Sequence, residues 1–349
     1  MQSIIFTNSA ATQLCGELNQ TKYDRLFILC DENTARLCLP RLKECDYMQN
    51  AVVITINADD TNKNLQSLIH VWQQLQQGNA TRHSMLVNLG GGMVTDLGGF
   101  AASTFKRGIK FINIPTTLLS MVDASVGGKT GINFGGLKNE IGVFREAQQV
   151  IIDTNFLQTL DNENILSGYA EMIKHGLISN TADWAELLNQ EPTSLSPEML
   201  TFLLQKNIKV KERIVEADPN EQNLRKALNV GHTIGHALES LALTKGQPVL
   251  HGYAVAWGII CELYLCTIKT NFPIDKMRQT VSFIRQHYGM LAFDCNDYDQ
   301  LCEFMTHDKK NTGSDINFTL LGDIGDIRLN QTATRNEIIE ALDFFRDGM

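Results

Sequence analysis

Three histidines in the second half of the chain are spaced in a way that suits a metal ion. His232 and His236 are four residues apart in LNVGHTIGHALE, and His251 follows after a Gly/Pro break. Residues four apart share one face of a helix, so both could bind one metal, or one could be a ligand beside an acid–base residue. Capping or core histidines that bind no metal would show the same spacing.

A carboxylate and a lysine upstream strengthen the metal interpretation. Glu171 and Lys174 lie in GYAEMIKHG, an otherwise apolar segment in which charged side chains are uncommon. Catalytic zinc usually has three protein ligands, often including a carboxylate, and one open position. Such an ion lowers the pKa of a bound hydroxyl, which would ease hydride loss to a nicotinamide. A surface glutamate remains the alternative for Glu171.

A glycine-rich turn in the first half predicts a phosphate-binding site. VNLGGGMVTDLGGF follows a predicted strand and opens a predicted helix, with Gly90, Gly91 and Gly92 at the turn. Glycines admit a ligand close to the backbone, and helix N-termini attract phosphate. The GxGxxG spacing is absent, so a structural turn remains the alternative. Asp31 and Asn33, after an earlier strand, could bind the adenosine ribose of a dinucleotide or simply cap a helix.

A second glycine-rich segment, residues 115–142, carries side chains that suit an anionic, hydroxylated ligand. Ammonium groups would bind its charge, and an amide would bind hydroxyl or phosphate oxygens. A solvated loop is the simpler interpretation. Arg107, just before the segment, is a further candidate for phosphate binding. The candidates within the segment are Thr116, Thr117, Asp123, Lys129, Lys138 and Asn139.

Two kinds of structure are needed to position these residues. Apolar runs at 25–31, 51–57, 84–92 and 110–117 alternate with amphipathic stretches at 61–77 and 95–108, which predicts a parallel sheet covered by helices. After a further strand within 148–160, helices are predicted at 162–180, 183–190, 196–217, 223–244, 251–270, 274–288, 297–306 and 334–346, with a hairpin at 315–329. We therefore predict an α/β Rossmann-like domain at 1–157 and a mainly α-helical domain at 158–349.

The composition limits the classes of function. The chain has 349 residues, 43% of them hydrophobic, and a formal net charge of −9, which disfavours nucleic-acid binding. The eight cysteines include no CxxC pair, and neither a signal peptide nor a long uninterrupted apolar run is evident. We expect a cytoplasmic protein with reduced cysteines that binds neither nucleic acid nor membrane.

Five stretches together resemble the 3-dehydroquinate synthases, a family of sugar-phosphate cyclases. They are GGGMVTDLGGFAAS, PTTLLSMVDASVGGKTGIN, LKNEIG, GYAEMIKHG and LRKALNVGHTIGHALE, in the family's order. The resemblance implies the dehydroquinate synthase-like fold, with an NAD-binding α/β domain and a helical domain for metal and substrate. It also implies NAD and a divalent metal, usually zinc with cobalt possible, and a homodimer.

The resemblance further implies the reaction of a phosphate-eliminating carbon–oxygen lyase of the shikimate pathway. It converts 3-deoxy-D-arabino-heptulosonate 7-phosphate to 3-dehydroquinate and phosphate, toward the aromatic amino acids. Transient oxidation of a hydroxyl by NAD acidifies the neighbouring C–H so that phosphate leaves; the ketone is then reduced and an aldol step closes the ring. Other sugar-phosphate cyclases and metal-dependent alcohol or glycerol-phosphate dehydrogenases remain alternatives.

The resemblance assigns roles residue by residue. Glu171, His232 and His251 would bind the metal, and His236 would transfer protons. The catalytic set would be His236, Asn229, Lys129, Lys174 and Asp123. Substrate would contact Arg107 from a neighbouring subunit, Lys129, Lys138, Asn139, Lys174, Lys211, Arg225, Asn229, His236 and Lys309 or Lys310. NAD would contact Asp31, Asn33, Asp60, Lys63, Gly91, Gly92, Met93, Asp96, Thr116, Thr117, Asp123, Lys129 and Lys138.

Two positions depart from the family's pattern. NADDTNKN stands where the family usually has a glycine–glutamate pair, so Asp60 would have to serve the ribose, with Lys63 following. His251-Gly252-Tyr253 stands where His-Gly-Glu is common, and loss of a carboxylate there could weaken metal affinity. Lys211 with Arg225 favours a substrate that has a carboxylate, because two cations facing nothing would be costly.

Overall fold

A six-stranded parallel sheet forms the centre of the first of two units, Met1–Asp161 and Asn162–Met349. The structure is a computed structural model that describes residues 2–135, 137–306 and 316–348. The strands of this unit are β1 (Ser3–Phe6), β2 (Leu26–Asp31), β3 (Val52–Ile56), β4 (Met85–Gly90), β5 (Lys110–Pro115), β6 (Lys129–Phe134), β7 (Leu137–Phe144) and β8 (Gln149–Ile152). Every residue of β2 and β4 is buried, as expected for central parallel strands covered on both faces.

The strand order β1-β8-β5-β4-β2-β3 changes direction between two neighbouring strands. The chain leaves β2 for β3 on one side, whereas β4, on the other side of β2, leads on to β5. Ligands of open parallel sheets bind beyond the carboxyl ends of the strands at such a switch point. Asp31 ends β2 and Gly90 ends β4, so both predicted nucleotide-binding segments begin there.

Helices α1 (Ala10–Gln20), α2 (Glu32–Leu37), α3 (Leu65–Gln77) and α4 (Gly92–Thr104) accompany the sheet. α3 begins later than the pattern predicts, because Asn64 caps it and residues 60–62 form a separate 3-10 turn. α4 ends at Thr104, since Lys106 and Arg107 take the left-handed conformation with φ of 49° and 69°.

The second half of the glycine-rich segment at 115–142 forms an antiparallel hairpin, β6–β7, in place of a solvated loop. Gly131 pairs with Gly142 across the hairpin. A Cβ on Gly142 would lie 2.2 Å from the Thr130 carbonyl oxygen, so the close approach of the two strands requires glycine. The glycines that suggested an open loop therefore serve strand pairing.

The second unit is mainly helical, as predicted. It contains α5 (Asn162–Ser179), α6 (Thr181–Leu188), α7 (Pro197–Ala217), α8 (His232–Thr244), α9 (His251–Thr270), α10 (Ile274–Tyr288), α11 (Tyr298–Thr306), α12 (Arg335–Asp347) and the hairpin β9 (Asn317–Asp323) and β10 (Asp326–Thr332). The continuous helix predicted at 223–244 is wrong: Leu224–Asn229 is a 3-10 turn, and α8 starts after Gly231, whose φ is 81°. By length and composition α9 could cross a membrane, but 72% of its apolar window is buried, as in a core helix.

The two units divide after Asp161, beyond the 3-10 turn Thr154–Thr159, and the domains at 1–157 and 158–349 remain a prediction. The assignment of NAD binding to the first unit and of metal and substrate binding to the second remains a prediction.

Candidate active site

Glu171, His232 and His251 meet inside the second unit. Oε1 of Glu171 lies 3.5 Å from Nε2 of His232 and 3.6 Å from Nε2 of His251. The carboxylate comes from the middle of α5, and each histidine is the first residue of its helix, α8 or α9. The Glu171 side chain is fully buried, and its second oxygen, Oε2, forms an ion pair with Nζ of Lys174. Three helices thus direct three donor atoms to one point.

His236 lies beside these residues, one turn along α8. Its ring centroid is 5.3 Å from that of His232 and 5.6 Å from that of His251. Ligand atoms of the three histidines all lie within 4.8 Å of one another. The structure therefore brings all four predicted residues together, and the choice of His236 for proton transfer remains a prediction.

The outer nitrogens of the two proposed histidine ligands face acceptors. Nδ1 of His232 is 3.2 Å from the Val230 carbonyl oxygen, and Nδ1 of His251 is 3.4 Å from Oε2 of Glu239. A proton held on Nδ1 by such an acceptor leaves Nε2 as a lone pair, the form that binds metal. Both Nε2 atoms are those nearest Glu171.

Sequence reasoning missed Glu239. It follows His232 by seven residues, so the helical repeat places it on the same face of α8, a signal that was available. Its contact means that His251 has a carboxylate neighbour despite the departure at Tyr253. The Tyr253 ring packs instead near Tyr288 and Trp257, with centroid distances of 5.2 and 6.0 Å.

The pKa shifts hold Glu171 ionised and His232 neutral, the forms that bind a metal, whereas His251 keeps a proton that a metal would have to displace. Burial alone would raise the pKa of Glu171, but Lys174, one turn along α5, and His232 hold it well below its usual range. Burial lowers the pKa of His232. Burial would also lower the pKa of His251, but the carboxylates of Glu239 and Glu171 outweigh it and raise that pKa to about 9.

These donors fit a divalent metal. An ionised buried carboxylate with two imidazoles is a donor set found around zinc, and imidazole also suits cobalt. The fit rests on the inward Nε2 atoms and on the fully buried carboxylate oxygen that lies 3.5 and 3.6 Å from them.

Four of the predicted substrate-binding residues of the second unit, Lys174, Lys211, Arg225 and Asn229, are buried, and His236 is half-buried. Lys174 and Arg225 are each 1% exposed, and Lys211 is 5% exposed. Nη1 of Arg225 donates to the Pro219 carbonyl oxygen at 2.6 Å. Nδ2 of Asn229 donates to Oε1 of Glu221 at 3.1 Å. Lys309 and Lys310 lie outside the described residues.

Lys63 is the centre of a polar cluster in the first unit. Its Nζ donates to Oδ2 of Asp96 at 3.0 Å and to Oδ1 of Asn139 at 2.7 Å, and lies 3.6 Å from Oδ1 of Asp60. Nζ of Lys138 is 3.0 Å from Oδ2 of Asp60. Burial would lower the pKa of Lys63, but Asp96 and Asp60 raise it above its usual value. Five predicted ligand-binding residues therefore lie together.

The switch point of the sheet carries a second group of nucleotide candidates. Oδ1 of Asp31 accepts from the backbone N–H groups of Asn33 and Thr34, both at 2.9 Å, so Asp31 does cap α2. Gly91 is the N-cap of α4 and offers no side-chain acceptor to its first turn. A Cβ on Gly91 would lie 3.1 Å from Cγ2 of Thr117. This combination of strand order, glycine turn and helix start fits a dinucleotide phosphate.

The other predicted residues of the first unit differ in exposure. Thr116 is buried, and Met93 and Asp123 are half-buried, the latter in a π-helical turn. Lys129 and Arg107 are exposed. Arg107 is the residue predicted to reach a neighbouring subunit.

Solved structures define the class of fold. The chain superposes with a TM-score of 0.85 and 20% identity on 2-deoxy-scyllo-inosose synthase complexed with carbaglucose-6-phosphate, NAD+ and Co2+, covering 99% of this chain and 96% of that one. It matches 2-epi-5-epi-valiolone synthase from Streptomyces hygroscopicus, with NAD+ and Zn2+ bound, at a TM-score of 0.85 and 22% identity, covering 99% and 97%. The fold is that of the sugar-phosphate cyclases.

Sequence relatives specify the family. A 3-dehydroquinate synthase of Parabacteroides distasonis is 53% identical over 347 residues, 99% of this chain and 98% of the relative. One of Oceanobacillus iheyensis is 38% identical over 310 residues, 88% and 85% of the two chains. Models of the 3-dehydroquinate synthase N-terminal and C-terminal regions match residues 53–167 and 168–311. The chain belongs to the 3-dehydroquinate synthase family, which confirms the resemblance of its motifs.

Proposed function

We propose that this protein converts 3-deoxy-D-arabino-heptulosonate 7-phosphate to 3-dehydroquinate and phosphate, using NAD and a divalent metal. The observation that carries the proposal is the meeting of Glu171, His232 and His251 with His236 in the second unit. Transient oxidation of a hydroxyl needs a cation to bind its oxygen and a base to take its proton. In this cluster Glu171, His232 and His251 would hold the cation, and His236 would be the base.

Glu171, His232 and His251 would hold the metal, zinc or cobalt. When bound, it lowers the pKa of the substrate hydroxyl. His236, whose ring lies 5.3 Å from that of His232, would move the proton, with Asn229 beside the substrate. Lys174 pairs with Glu171 and would face the anionic substrate.

The first unit would hold NAD at its switch point. The pyrophosphate would lie at the Gly91 turn and the adenosine side near Asp31, as strand order and helix start suggest. Asp60 would take the ribose role that a glutamate usually has in the family. Its carboxylate lies between the ammonium groups of Lys63 and Lys138, at 3.6 and 3.0 Å, so its position is well defined.

Buried cations favour a substrate that has a carboxylate over the sugar phosphates of related cyclases, which lack one. Lys211 and Arg225 are almost fully buried, and a substrate carboxylate would form charge-assisted hydrogen bonds with both cations. Lys129 and Asn139 would bind phosphate, together with Arg107 of a second copy. We therefore propose a homodimer, acting in the cytoplasm.

One assay tests the proposal. The protein is supplied with the heptulosonate phosphate, catalytic NAD and zinc, and phosphate release and dehydroquinate are followed. We expect both products without net NADH, whereas a polyol dehydrogenase would accumulate NADH. Sedoheptulose 7-phosphate, which lacks the carboxylate, is the matched control substrate. Folded, metal-loaded protein that releases no phosphate from the acid substrate would refute the proposal.

A further inference from the structure

A side chain from another helix caps the first turn of α8. Gly231, the N-cap residue, has φ of 81° and offers no side-chain acceptor. Glu262 of α9 supplies both oxygens: Oε2 accepts from the Gly231 N–H at 2.6 Å and Oε1 from the Ile234 N–H at 3.1 Å. Because the start of a helix carries partial positive charge, a carboxylate there makes charge-assisted hydrogen bonds. Glu262 is 1% exposed, so water does not weaken them.

The position of Glu262 on α9 links this cap to the metal-ligand cluster. It follows His251 by eleven residues, about three helical turns, so both side chains lie on one face of α9. α8 runs antiparallel along that face. Glu262 holds the start of α8, and His251 contacts Glu239 further along α8 at 3.4 Å. Polar side-chain contacts therefore join α8 and α9 at two places, one at Glu262 and one at His251.

Glycines between these two places bring the backbones close together. A Cβ on Gly258 of α9 would lie 2.0 Å from the Gly231 carbonyl oxygen. A Cβ on Gly235 of α8 would lie 2.8 Å from the Ala254 carbonyl oxygen. Such backbone contacts set the distance between the two helices, but they do not fix how far α8 is shifted along the axis of α9. The hydrogen bonds of Glu262 fix that shift, because hydrogen bonds weaken steeply with misalignment.

We propose that Glu262 is a positioning residue for the active site. By holding the N–H groups of Gly231 and Ile234, it fixes where α8 begins along α9. His232 is the next residue after Gly231, so the same bonds fix its Nε2 relative to His251 and Glu171. The inference rests on the proposed function in one respect, namely that these three residues bind metal.

The test is the affinity of the metal-free full-length protein for Co2+, measured by competition with a chelator and by Co2+ visible absorption. Glu262→Gln keeps the shape but replaces one acceptor with an NH2 group that faces a backbone N–H. We expect folded Glu262→Gln to bind Co2+ about 10- to 100-fold more weakly, with an altered absorption spectrum. Glu262→Asp keeps the charge but shortens the reach, and should be intermediate.

Thr334→Ala is the matched control. The Thr334 side chain accepts from the Glu337 N–H at the start of α12, so the substitution removes a helix N-cap elsewhere in the same unit. It should lose stability but bind Co2+ as the wild type does. If folded Glu262→Gln, or Glu262→Asp should the former fail to fold, binds Co2+ with wild-type affinity and spectrum, the positioning role is overturned. His232→Ala distinguishes failure of the positioning role from failure of the proposed metal ligands. If His232→Ala retains Co2+, the proposal that His232 is a metal ligand is wrong.

Discussion

Replacing Glu239 tests the electrostatics around His251. The carboxylate of Glu239 lies 3.4 Å from Nδ1 of His251. Burial alone would lower the pKa of His251, but Glu239 and Glu171 outweigh burial and raise this pKa from an ordinary 6.5 to about 9. Glu239→Gln keeps a hydrogen-bond acceptor but removes the charge. We expect the His251 pKa to fall toward its ordinary value.

The sign and size of the effect follow from proton linkage. Between pH 6.5 and 9 the folded metal-free protein holds a proton on His251 that the unfolded chain has lost. The stabilisation is complete below pH 6.5 and disappears as pH rises toward 9, at about 1.4 kcal/mol per pH unit and up to about 3 kcal/mol in all. The lowered pKa of His232 acts below pH 6.5, outside this window.

Urea unfolding of metal-free protein, followed by circular dichroism across this pH window, measures the effect. The wild type should lose free energy of unfolding as pH rises, and Glu239→Gln should show a much flatter dependence. Glu303→Gln, an exposed substitution of the same kind on α11, should behave as the wild type. Equal slopes for the wild type and Glu239→Gln would refute the reasoning.

Three further predictions concern ligands and helix packing. His236→Ala should retain its metal but lose most phosphate release, whereas His232→Ala should lose the metal; metal analysis and turnover measure both. Gly258→Ala would place a Cβ 2.0 Å from the Gly231 carbonyl oxygen, so α8 and α9 must separate. We expect about 1–3 kcal/mol lower stability in urea unfolding and weaker Co2+ binding. Lys63→Met should weaken NAD binding at least about tenfold in fluorescence titration, because it removes a buried, charge-assisted cluster.

Each of these predictions has a contradicting result. Metal loss from His236→Ala would make it a ligand. Unchanged Co2+ affinity in Gly258→Ala would mean that the spacing of α8 and α9 does not control the site. Wild-type NAD affinity in Lys63→Met, beside the exposed control Lys106→Met, would place the nucleotide away from Lys63.

The sequence predicted those parts of the fold that depend on local pattern. The buried strands β2 and β4 are continuous apolar runs, and a parallel sheet follows from their alternation with helices. The hairpin β6–β7 was not predicted, because its Gly131–Gly142 pairing depends on two strands meeting, whereas glycine alone indicates a loop. The break at Gly231 was also missed, since a left-handed residue interrupts an otherwise helical pattern.

The site was predictable to a similar depth. Spacing drew attention to His232 and His236, and the apolar segment around it drew attention to Glu171. Only the family resemblance chose Glu171, His232 and His251 as ligands and left His236 for proton transfer. Glu239 could have been found from the helical repeat. Glu262 could not, because its role arises only when α9 packs against α8, and no spacing within one helix reveals a cap supplied by another.

The edge strand β1 has a consequence for how the first unit forms. Ser3 pairs with Gln149, so β1 finds its partner only when nearly all the rest of the unit has been made. At a synthesis rate of about 5–20 residues per second, β1 waits for roughly 7–30 seconds. During that time the central strands can pair without it, which makes docking of β1 beside β8 a late event. The N-terminal strand thus closes a sheet whose other members are already assembled.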